Sequence, residues 1–244
     1  PAMRQILDIE PDNSRARAML LEIFLREEKH VEAIALCQEG QLYDPTMLPY
    51  YYYEGLCHYT LGEQEKAIDA FKRGVAHVEE NSDPEAVSDI YASLGDIYFN
   101  LKEKDLAFAA YDSALVFKSD NLMCMNNYAY YLSLEGKDLD KAEAMSRKTV
   151  EASPEEPTYL DTYAWILFKK EQYTQARLYI DETLKYAKET PEDAGLFEHA
   201  GDIYYKCGDR EAAMDFWKKA LKLSDDEEQC ATLKKKLKLK RWVP

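Results

Sequence analysis

Three small residues, spaced twelve and then seven positions apart, return six times along the chain, and nothing else in it constrains the fold as strongly. The clearest triplets are Gly55, Ala67 and Gly74; Gly95, Ala107 and Ala114; and Gly201, Ala213 and Ala220. Ala164, Ala176 and Thr183 keep the same spacing, and Ala129, Ala142 and Thr149 keep it with one extra residue in the 136–140 turn. Leu21, Ala33 and Gly40 form a weaker copy whose first member is bulky. Two antiparallel helices approach closely only where side chains are small, so the triplets predict helical hairpins with small residues at each crossing. Gly62, Gly136 and Gly208 mark the turn between the two helices. Phe71, Tyr111 and Trp217 are expected to fill the space behind the next hairpin. A single hairpin cannot bury its own apolar face, so the copies must stack.

The pattern resembles the tetratricopeptide repeat, which carries Gly or Ala at its eighth position, Ala at its twentieth and Pro near its end. That resemblance implies an all-α fold, a right-handed superhelical solenoid of stacked antiparallel helix hairpins. Its units are expected at 14–47, 48–81, 88–121, 122–156, 157–190 and 194–227. Short insertions at 82–87 and 191–193 each pair a capping residue with proline, Asp83-Pro84 and Thr190-Pro191, and read as extra first turns of the following helix. Pro11 stands in phase with Pro45 and Pro154, so residues 1–13 read as the second helix of a truncated upstream repeat. On that reading the chain is the C-terminal part of something longer. Residues 228–244 run from acidic to basic, which suits the macrodipole of a capping helix followed by a basic tail. Cys230, Leu233 and Leu237 would cover the last hairpin.

Charge and cysteine usage narrow the function classes. With 31 basic against 46 acidic residues the formal charge is −15, the wrong sign for a surface that must neutralise phosphates. The only basic run is 233–241, "LKKKLKLKR". A helical-repeat RNA binder is therefore a weak alternative. Cys37, Cys57, Cys124, Cys207 and Cys230 are odd in number and lack a C-x-x-C pair, so neither a zinc site nor a disulfide framework is indicated. Free thiols lean towards a reducing compartment. The segments at 122–150 and 159–184 resemble bacterial multi-repeat proteins, which are often envelope-associated, so the compartment stays open. No apolar stretch reaches the ~20 residues of a membrane span. The four histidines fall at unrelated phases, and no metalloprotease, nucleophile-elbow or phosphate-loop motif occurs. Only His199 near Asp202 makes a cluster, read as a surface histidine. No enzyme activity, metal or cofactor is expected.

By the resemblance, the second, fifth, ninth, twelfth and thirteenth positions of each hairpin's first helix face a concave groove. The candidate groove residues are Tyr52, Tyr59, Asp96, Phe99, Asn126, Tyr130, Asp161, Trp165, Phe168, Lys169, Asp202 and Tyr205. They combine an aromatic track with an acidic bias to which Asp89 and Glu198 add. Bulk at the ninth position, as in Tyr130 and Trp165, is not demanded by packing, so these two are the strongest ligand contacts. The basic clamp by which some co-chaperone members hold acidic tails is absent. The expected partner is a protein or peptide that is not acidic, held as an extended or helical segment by a non-catalytic scaffold. The alternatives are a structural or adaptor segment of a larger envelope-associated protein, or self-association.

Overall fold

A computed structural model of the chain describes residues 2–187 and 193–243, so Thr190-Pro191 lies outside the described residues. Among the described residues every regular element is an α-helix. A short helix α1 (Ala2–Ile9) comes first. Six helix pairs follow: α2 (Ser14–Arg26) with α3 (His30–Tyr43), α4 (Leu48–Thr60) with α5 (Gln64–Ala76), and α6 (Pro84–Asn100) with α7 (Lys104–Phe117). Then come α8 (Leu122–Glu135) with α9 (Leu139–Ala152), α10 (Pro157–Lys169) with α11 (Tyr173–Tyr186), and α12 (Ala194–Lys206) with α13 (Arg210–Leu223). Helix α14 (Glu227–Leu239) comes last. The chain groups into two compact units, Pro1–Cys124 and Met125–Pro244.

Helix α6 is longer than its counterparts because Asp83 caps it, accepting from the Glu85 amide, and Pro84 opens it. A missing amide hydrogen and a preset φ suit proline to a first helical turn. Each hairpin turn contains one residue in the left-handed region. Gly62, Gly136 and Gly208 supply three of these, while Glu28, Lys102 and Glu171 occupy the same place in the other copies. All six turns close with the same bond, from the residue after the left-handed one back to a carbonyl five positions earlier, as in Lys29 N to Phe24 O and Glu103 N to Tyr98 O. The extra residue of the fourth copy puts Asp138 into the left-handed region as well.

The crossing is matched by volume in five of the six hairpins. A Cβ on Gly55 would stand 2.4 Å from Phe71, one on Gly95 2.7 Å from Tyr111, and one on Gly201 2.4 Å from Trp217. Each large ring therefore rests on the glycine of its own hairpin, where sequence reasoning set it behind the next one. Where the first residue is larger, the second is smaller: Ala164 pairs with Ile180 and Leu21 shares a core with Cys37. The polar tips of the rings are satisfied by the residue after the glycine. Tyr111 donates to Asp96, and Trp217 Nε1 donates to Asp202 at 2.8 Å. The second hairpin, with Phe71 and no polar tip, has Leu56 there instead.

The first unit also holds a buried polar cluster. Glu54, 1% exposed, accepts from Gln38, Gln41 and Arg73, which ties α3, α4 and α5 together. In the second unit α14 packs on α13 through Leu233, fully buried beside Trp217 and Ala220, with Leu237 against the same cluster. No helix among the described residues is long and apolar enough to cross a membrane.

Candidate functional site

Helical geometry puts residues four and seven apart on one face, so Asp161, Trp165 and Phe168 of α10 form a single row. The row stands beside α8, which brings Asn126 and Tyr130, and α12, which brings His199 and Asp202. The second unit thus gathers Asn126, Tyr130, Asp161, Trp165, Phe168, Lys169 and Asp202 around two adjoining clefts of about 410 and 520 Å³. Tyr130, Gly195 and His199 line both.

His199 is the residue that sequence reasoning misjudged. It is 7% exposed, and its Nδ1 lies 3.0 and 3.1 Å from the two oxygens of Asp161. Its ring stacks on Trp165 with centroids 4.1 Å apart and planes at 17°. Trp165 stacks in turn on Phe168 at 4.8 Å and 11°, and Tyr130 tilts against His199 at 6.0 Å. Burial works against the charged imidazole, but Asp161, helped by Asp202 and Glu198, outweighs it and holds His199 above the ordinary histidine range. Lys169 Nζ lies 5.7 Å from the Trp165 ring centre. The Trp165 Nε1 is buried without a hydrogen-bond partner.

The acidic bias expected around Glu198 and Asp202 is largely cancelled from within the chain. Lys236 of α14, 2% exposed, reaches Asp202 at 2.7 and 2.8 Å and Glu198 at 2.7 Å. Trp242 adds an Nε1 bond of 3.0 Å to Asp202, stands edge-on to Phe168 at 6.0 Å and lies beneath Lys206 at 4.2 Å. Asp202 is therefore a buried anchor for α14 and the segment after it. A lone lysine within a basic run gives no sign of being the buried one, although an aromatic at 242 could have suggested a docked tail. Tyr205 sits apart, tilted on Trp217 at 5.7 Å with Arg210 over its ring.

The remaining candidates belong to the first unit, each held by its neighbours. Tyr52 is half-buried against Tyr53 and Phe71, and burial pushes its phenol up. Tyr59 is exposed and accepts from Asn100 at 3.0 Å. Asp96 accepts the Tyr111 hydroxyl, and Phe99 is buried beside Phe108. Among the described residues no group of three or more His, Cys, Asp or Glu is placed to hold a metal ion.

The family model for the tetratricopeptide repeat matches residues 88–120 and 194–227. No curated protein sequence matches the chain significantly. Among solved structures, a tetratricopeptide repeat protein from Parabacteroides merdae superposes with a TM-score of 0.62 at 21% identity, over 98% of this chain and 89% of that one. PilF of Pseudomonas aeruginosa gives 0.69 at 16% identity, covering 91% of this chain and 96% of its own. A chain of the APC/C hetero-tetramer Cut9–Hcn1 gives 0.76 at 16%, over 98% of this chain and 45% of that one. At such identities the likeness speaks for the fold. Taken with the two matched repeats and the six helix hairpins, it gives this chain a tetratricopeptide-repeat fold.

Proposed function

We propose that the chain is a non-catalytic interaction scaffold that holds an extended or helical segment of a protein partner against α8, α10 and α12. The observation that carries this reading is the row of parallel rings, His199, Trp165 and Phe168, along the wall of an open cleft of about 520 Å³. Aromatic faces bury large area with few rotamers to freeze, and a cleft of that size suits anchoring side chains. Its charges balance, with Lys169, Lys206 and Lys236 facing Glu171, Glu198 and Asp202. The fold's capacity to assemble with another protein is seen in the Cut9–Hcn1 hetero-tetramer. Catalysis is disfavoured because His199 is engaged by Asp161 and by its stack. Burial also pushes the Cys57 thiol up to about 11 and Cys124 up to about 12, away from reactive thiolate. An RNA-binding reading would require a basic cleft, and neither cleft has one.

Capture from native lysate on the immobilised chain tests the reading. It is run beside Tyr130→Ala/Trp165→Ala and, as a rim variant that spares the stack, Lys169→Glu, each matched in melting temperature. A protein retained by the parent chain and lost by the variants supports it. Identical retention by all three chains overturns it.

A further inference from the structure

Of the two adjoining clefts, the one of about 410 Å³ has a distinct chemistry. Glu156, Asp161 and Asp193 contribute three carboxylates to its wall, and the one basic group among its described lining residues is His199, which is already paired with Asp161. Each carboxylate is already fixed in place by the chain. Glu156 caps α10 by accepting from the Thr158 amide at 3.2 Å, Asp193 caps α12 through the Leu196 amide at 2.9 Å, and Asp161 faces His199. A carboxylate offers about four acceptor sites, so each retains capacity for a further donor. Asn126 gives an independent sign. It is 4% exposed, lines the same cleft, and its Oδ1 has no hydrogen-bond partner. A buried acceptor left unpaired is costly, which makes this wall one that gains when a donor arrives. Tyr130 adds a half-buried aromatic face.

We propose that this cleft is a specificity pocket for an arginine side chain of the partner segment, a proposal that rests on the interaction reading above. The wall asks for positive charge, for several N–H donors and for a flat group. A guanidinium has five N–H donors in one plane, can bridge a carboxylate and a carboxamide oxygen, and stacks on an aromatic ring. A carboxylate or phosphate would meet the like charges of Glu156 and Asp193, which no basic side chain among the described lining residues offsets. An ammonium supplies charge without the plane. Because Tyr130 and His199 also line the aromatic cleft, the arginine would lie next to an apolar or aromatic residue of the same segment.

The test is an NMR titration of the isotope-labelled full chain with N-acetyl-argininamide, N-acetyl-lysinamide and N-acetyl-citrullinamide, the last matching arginine in shape without its charge. Argininamide is expected to shift the Asn126 side-chain amide and the Tyr130 and His199 signals saturably. Citrullinamide should bind roughly tenfold more weakly, as expected for losing a charge-assisted bond. Asp161→Asn should weaken argininamide in the same sense. So should Glu156→Gln/Asp193→Asn, whose amide oxygens keep both helix caps. Equal response to arginine and citrulline, equal response to arginine and lysine, or indifference to these substitutions would each overturn the assignment. If that happens while lysate capture still depends on Tyr130 and Trp165, only the arginine pocket falls. If capture is also indifferent, the groove reading falls with it.

Discussion

Two buried ionic contacts define the second unit at the level of single residues, and they answer to different tests. Lys236 is enclosed with Asp202 and Glu198. Deleting one partner of a buried pair leaves the other charge uncompensated, so Lys236→Met is expected to cost about 3 kcal/mol. Urea unfolding followed by tryptophan fluorescence measures it, and a loss below about 1 kcal/mol would place the lysine at a solvated surface. His199 answers to pH. Its value in the fold is raised, with Asp161 on α10 and Asp202 and Glu198 on its own helix prevailing over burial. A raised base stabilises fully below its unfolded value near 6.5 and loses that stabilisation as pH climbs through the folded value. The stability difference between the parent chain and His199→Gln should therefore shrink as pH rises above about 6.5. A difference that stays flat would mean the imidazole is unshifted by folding, and one that grows with pH would mean it is held neutral within the fold.

Four of the hairpins are pairs of helices fitted to one another by a single exchange of volume, glycine against a ring or alanine against isoleucine. Gly55→Ala should cost about 2 kcal/mol, because its methyl would enter the space of the fully buried Phe71. Gly55→Ala/Phe71→Ile, which copies the Ala164–Ile180 pair, should recover much of that loss. Thermal melts of the two variants decide it, and a double variant no better than the single one would refute the fit. The turns offer the opposite opportunity. Lys102 and Glu171 sit at φ of 65° and 61°, where a side chain costs about 1 kcal/mol. Lys102→Gly and Glu171→Gly should each stabilise by roughly 0.5 kcal/mol, after the greater freedom of glycine in the unfolded chain is deducted. Denaturant midpoints shifted downward would contradict this. Hairpins were legible from small-residue spacing because that spacing is imposed by close approach. The three non-glycine turns were not, since their left-handed residues are fixed by the closing backbone bond and leave no residue type behind.

Across the molecule, what the sequence revealed and what it concealed divide by range. Helix order and hairpin phase follow from local periodicity, and the aromatic row on α10 could be read off its four- and seven-residue spacing. The charge of the groove could not. It depends on Lys236 reaching residues 34 and 38 positions away, and sequence spacing carries no record of such a return. A formal charge of −15 also has a consequence for the whole chain. Self-repulsion should dominate at low ionic strength, so salt raised from about 10 to 200 mM should lift the melting temperature by a few degrees. A fall on circular dichroism would show that the surface ion pairs outweigh the repulsion. The volume match within these hairpins also limits how such an array can be rebuilt. A first helix bearing Gly95 joined to a second helix bearing Ile180 would enclose a void, and Ala164 opposite Tyr111 would collide. Shuffled arrays can therefore be cut only at the boundaries between hairpins, and the inheritable unit of this architecture is the fitted pair, never the single helix.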